Sequence, residues 1–161
     1  MKCKIATTTL LSSAIALFCL TAAAASQSTQ QGSCSDATVA GKFGYTSNGS
    51  LIGIGPVAAA GIVAFDGKGK LSGHQTRSVN GDVADETFQG AYQVNSDCTM
   101  NELIEVYESG QLVRTSTVLV IIQDNGNSGS AIFTKIALPD GTVLPSALTL
   151  DAKRLFPRDE D

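Results

Sequence analysis

The sequence predicts an all-β domain, an antiparallel meander of about eight strands closing into a small barrel, with a β-sandwich as the alternative arrangement. Three observations carry that prediction. From Cys34 onward, short apolar or alternating runs are separated by Gly, Asn and Asp at a spacing of about 8 to 12 residues, the punctuation of all-β domains. No stretch sustains an apolar period of about 3.6 residues. Successive runs are joined by tight-turn sequences, which make neighbouring strands antiparallel.

The strands are expected, in order, at 40–47, 57–66, 70–79, 82–94, 99–108, 111–123, 130–138 and 142–153. Asp66-Gly67-Lys68-Gly69 suits a three-residue loop with Gly69 in the left-handed region, and Asn80-Gly81 a two-residue type I′ turn. Ser109-Gly110 and Pro139-Asp140-Gly141 supply two more turns. Asn48-Gly49-Ser50 reads as a turn or as an N-glycosylation acceptor. Asp124 to Gly129 reads as a plain turn, because it lacks the ligand spacing and closing Glu of a calcium loop. The apolar, glycine-hinged segment Leu51 to Pro56 is expected to plug the core or fold over one mouth as a lid.

Turn lengths fix register. The first hairpin sets Phe65 opposite Leu71 and Val63 opposite Gly73; the second sets Arg77 opposite Ala84, Gln75 opposite Glu86 and Gly73 opposite Phe88. One face then collects Val63, Phe65, Leu71, Phe88 and Tyr92, and the other carries Ser72, His74, Thr76 and Ser78. The Ser109-Gly110 turn places Glu105 opposite Arg114 as an exposed ion pair worth under about 1 kcal/mol. Val118 to Ile122 is apolar on both faces, so its outer side must be covered by the N-terminal segment, by Leu155-Phe156 or by a second copy in a homo-oligomer.

The chain begins like an exported protein. Lys2 and Lys4 precede an apolar stretch from Ile5 to Leu20, and Ala22 to Ala25 then meets polar Ser26. That is the layout of a cleaved signal peptide over residues 1–25, placing the protein in the periplasm or outside the cell with no membrane insertion after cleavage. A disordered polar leader (26–33), a single domain (34–156) and an acidic tail (157–161) follow. The mature chain keeps two cysteines, Cys34 and Cys98, whose pairing as a disulfide the oxidising compartment favours.

Composition excludes several functions. Loss of Lys2 and Lys4 takes the formal net charge from −4 to about −6, and no basic stripe exists to neutralise phosphates, so neither nucleic acid nor an anionic membrane is an expected partner. His74 is the sole histidine, and its register neighbours are polar and outward. A Ser-His-Asp arrangement and a histidine-rich metal site are therefore not expected, nor is any catalytic residue or cofactor assigned. The group that stands out is Gln75, Arg77 and Glu86, polar residues on the otherwise apolar face. Either they meet water at the barrel mouth or they line a pocket. In the pocket reading Arg77 holds an anionic head while Phe65, Phe88 and Tyr92 bury an apolar tail.

The string Gly61-Ile62-Val63-Ala64-Phe65-Asp66-Gly67-Lys68-Gly69-Lys70-Leu71-Ser72-Gly73, with Phe88-Gln89-Gly90-Ala91-Tyr92-Gln93-Val94 and Asn95-Ser96-Asp97-Cys98-Thr99 beyond it, resembles a group of small exported bacterial proteins of uncharacterised function. Their hairpin pattern is similar to that of calycin-like and allene-oxide-cyclase-like barrels. The resemblance, over roughly residues 34 to 153, implies a barrel that holds one small ligand or one that isomerises a lipid-like substrate. Three functions follow as expectations: non-enzymatic binding of a small apolar or amphipathic ligand, a cyclase or isomerase activity, and a structural envelope role for a barrel with a filled core.

Overall fold

The computed structural model describes residues 33–156; the expected signal peptide, most of the polar leader and the acidic tail lie outside them. Within this range the chain forms β1 (Gly41–Leu51), β2 (Gly55–Phe65), β3 (Lys70–Val79), β4 (Asp82–Val94), β5 (Thr99–Glu108), β6 (Gln111–Gln123), β7 (Ser128–Ala137) and β8 (Ser146–Arg154). Each strand pairs antiparallel with the next, and β8 returns to β1, closing the barrel. The barrel, rather than the sandwich, is the fold.

The expected turns explain the meander. Asn80-Gly81 and Ser109-Gly110 both take positive φ, as a type I′ turn demands. At Asp66–Gly69 the Asp66 carboxylate accepts hydrogen bonds from the backbone N–H groups of Lys68 and Lys70, at 2.7 and 2.9 Å. The β2–β3 and β3–β4 registers are those set by turn length, including Phe65 opposite Leu71, Gly73 opposite Phe88 and Gln75 opposite Glu86. Gly73 is required: a Cβ there would run into the Ile62 carbonyl and the ring of Phe88, which covers the gap.

Five expectations are corrected. Asn48-Gly49-Ser50 is not a turn but lies within β1, which runs on to Leu51. Leu51 to Pro56 is neither lid nor plug; it is the tight hairpin joining β1 to β2, with Ile52 and Ile54 exposed at its tip. Residues 142–145 do not belong to the last strand, because Pro145 withholds a ladder donor; β8 starts at Ser146. Glu105 faces Thr115, while Arg114 pairs with Val106, because β6 carries a bulge against β5 at this point. The outer side of 118–122 is not covered by Leu155-Phe156: Ile121 is 45% exposed, Phe156 is 78% exposed, and Leu155 packs near Gly44 instead.

One end of the barrel is closed. A 3-10 turn at Asp36–Val39 lies across it, burying Val39. The Cys34–Cys98 disulfide ties the start of this plug to the β4–β5 connection. Arg154, the last residue of β8, is buried there; its guanidinium donates to the carbonyls of Ala40, Thr38 and Gly126 and lies over the ring of Phe43, 4.5 Å from its centroid. Above the plug an edge-to-face aromatic stack of Phe43, Phe65 and Tyr92, with centroids 5.6 and 5.0 Å apart, fills the barrel's width.

Candidate functional site

Side-chain size along the inward faces decides where the barrel is solid and where it is hollow. β2 points Phe65 and Val63 inward near the plug but Ala59 and Val57 toward the far end. β7 and β8 contribute Gly129 and Ala152 to the same interior. A barrel of eight strands either fills with side chains or holds one small ligand, and these small residues leave it unfilled. The result is a cavity of about 460 Å³, walled mainly by apolar side chains that include Phe65, Phe88, Val106 and Val120.

The polar residues singled out from the sequence meet in this cavity. Glu86 is 2% exposed and sits at the centre of the group. It accepts a hydrogen bond from Gln75 Nε2 at 2.6 Å and one from Arg77 Nε at 2.9 Å. Arg114 grips the same carboxylate with both terminal nitrogens, at 2.6 and 2.7 Å. Burial by itself would raise the Glu86 carboxyl, but the hydrogen bonds and charge of Arg114, then Gln75 and Arg77, outweigh it and hold the group below the usual carboxylate range. Tyr45 extends the network by donating to Gln75 Oε1 at 2.6 Å. Burial raises the Tyr45 hydroxyl well above its ordinary value, against the pull of Arg114. Gly61 leaves space for that contact, since a Cβ there would press on Gln75 and on the Tyr45 hydroxyl.

Arg77 does not present a free guanidinium to a ligand's anionic head. Its Nε faces Glu86, one terminal nitrogen faces Asp82 at 3.1 Å and the other faces Glu108 at 3.1 Å. Phe65 and Phe88 line the cavity. Tyr92 is buried but is not part of the cavity wall: its hydroxyl accepts from the Gly67 N–H and donates to the Asp36 carbonyl, fixing the plug. His74 is exposed on the outer face. Among the described residues no group of His, Cys, Asp and Glu is placed to hold a metal ion.

Arg114 and Glu102 are among the interior residues not assigned from the sequence. The bulge keeps Arg114 on the inner face. Parity along β6 carries the signal: Ser116, Val118, Val120 and Ile122 occupy even positions and all are buried, so Arg114 shares their face. Counting back from Ser109-Gly110 gives the opposite parity, and that conflict marks the extra residue. Glu102, 8% exposed, lies opposite Tyr92 on β4 and Val118 on β6, both inward residues. Burial pushes its carboxyl up to about 7.

No family model matches the chain, and no curated protein matches it. Among solved structures the chain is similar to an S-type phycobiliprotein lyase from Guillardia theta, with a TM-score of 0.45 and 7% identity, over 80% of this chain and 97% of that one.

Proposed function

We propose that this is an exported protein that binds one small apolar or amphipathic molecule inside its barrel and performs no chemistry on it. The observation that carries the reading is the cavity of about 460 Å³, apolar over most of its wall and closed at one end by the disulfide-tied plug. Concave, mainly apolar sites with a few convergent polar groups are where small molecules bind. A purely structural barrel has no need of such a space. Polar side chains on the wall orient what enters, while Phe65, Phe88 and Val106 provide apolar contact.

Native mass spectrometry of the purified protein with decanol tests this. The expected result is a one-to-one adduct that Ala59→Phe, which fills the cavity from β2, weakens by about tenfold or more. Wild-type protein that forms no adduct overturns the reading, and an adduct untouched by Ala59→Phe places the ligand outside the barrel.

A further inference from the structure

The identity of the ligand's polar group can be drawn from two side chains that the Glu86 network leaves aside, and the inference rests on the binding reading above. Glu102 lines the cavity, is 8% exposed, and has no hydrogen-bond partner among the described residues. Ser116 also lines it, is 2% exposed, and its Oγ is likewise without a partner. Ile104 faces Ser116 and Glu102 faces Val118, so the two polar groups sit on adjacent strands one inward step apart. Diagonal neighbours of this kind are within reach of one bound group. Buried polar groups left unpaired are costly, and two side by side define a place for a donor.

The charges in the cavity indicate which donor. Two guanidinium groups, of Arg77 and Arg114, line it together with four carboxyl groups, of Asp82, Glu86, Glu102 and Glu108. Both guanidinium groups are turned onto Glu86, and Arg77 also spans Asp82 and Glu108. Among the described residues Glu102 is left without a cation. An anionic amphiphile would add a further negative charge to this interior and find both cations engaged. A neutral one would leave Glu102 uncompensated.

We propose that the ligand is an amphipathic amine, its ammonium group held between the Glu102 carboxylate and the Ser116 hydroxyl and its apolar body lying along the cavity wall. An ammonium supplies three donors and the missing positive charge, and it meets two acceptors that have no partner among the described residues. Burial is what raises the Glu102 carboxyl, so a cation seated there lowers it again and the ligand binds to the ionised form.

The test is isothermal titration calorimetry on the purified protein at pH 7.5 with three probes of equal chain length: decylamine, decanol and decanoate. Decylamine is expected to bind at least about tenfold more tightly than decanol, with decanoate weakest. Glu102→Gln is expected to bring decylamine within about threefold of decanol. Ser116→Ala, a smaller change in the same place, is expected to narrow the amine's advantage over the alcohol by about threefold. Decanoate binding as tightly as decylamine, or an amine advantage that survives Glu102→Gln, overturns the inference. Decanol binding without any amine advantage overturns it while sparing the binding reading; failure of all three probes overturns both.

Discussion

At the residue scale, Glu86 organises the interior. Its carboxylate receives four hydrogen bonds, three of them from guanidinium groups. Removing one member of a buried charge pair leaves the others uncompensated, which typically destabilises by about 3 to 5 kcal/mol. Glu86→Gln is therefore expected to lower the urea midpoint by an amount equivalent to about 3 kcal/mol, whereas Glu105→Gln, on the outer face, is expected to change it by under about 1 kcal/mol. The two buried glutamates act oppositely with pH. Glu86 is held below its ordinary value, so its stabilisation is present above about pH 4.5 and is lost as pH falls through its lowered value. Glu102 is raised from 4.5 to about 7, so its contribution is full below about pH 4.5 and is lost as pH rises toward 7, by about 3 kcal/mol. Denaturation across pH 4.5 to 8 is expected to show that fall in the wild type and a flatter profile in Glu102→Gln. An unchanged profile would mean that Glu102 reaches water.

At the element scale, the bulge in β6 builds the site. Val106 faces Arg114 and Tyr107 faces Leu112, so Val113 is the extra residue, and absorbing it as a bulge keeps Arg114 on the inner face. Deleting Val113 is expected to restore simple alternation from the Ser109-Gly110 turn with Arg114 still opposite Val106 on the inner face, so the contact to Glu86 survives and the loss of stability stays below the roughly 3 kcal/mol that breaking that contact costs. A fall of about 3 kcal/mol or more in urea denaturation of the deletion variant would contradict this. The same bulge marks how far the sequence could be read. The turns on either side of β3 carry its register in their residues, which puts Gln75, Arg77 and Glu86 on one face from sequence alone. The β5–β6 pair could not be read from its turn alone, because an inserted residue changes parity without any local composition signal. Glu102 was passed over for a different reason: an acidic residue in an alternating strand is ordinarily the solvated one, and only its neighbours Tyr92 and Val118 reveal that it faces inward.

At the scale of the whole molecule, the barrel is a closed-bottomed cup. Its floor is the segment before β1, held by side chains from two strands: Val39 is buried in the 3-10 turn, Arg154 of β8 hydrogen-bonds three carbonyls across it, and Tyr92 of β4 holds the Asp36 and Gly67 backbones together. Hairpin signals say nothing about such a floor, although the pairing of Cys34 with Cys98 already implied that the segment before β1 returns to the β4–β5 connection. The disulfide separates partners by 64 residues, and in the chain-entropy model it stabilises the fold by about 4 kcal/mol. Replacing both cysteines by serine is expected to lower stability by that order in urea denaturation and to loosen the floor first, seen as faster hydrogen exchange of the Val94 amide that donates to Asp36. Above the floor the aromatic stack fills the section, and beyond it the small residues Ala59, Gly129 and Ala152 leave the space empty.

That empty space is the claim on which the rest depends, and a crystal structure determined under xenon pressure tests it most directly, because apolar cavities take up the gas. Xenon density between Phe88, Val106 and Val120 is the result expected here. Crystals that bind xenon only at the surface, with those three side chains packed against the opposite wall, would contradict it.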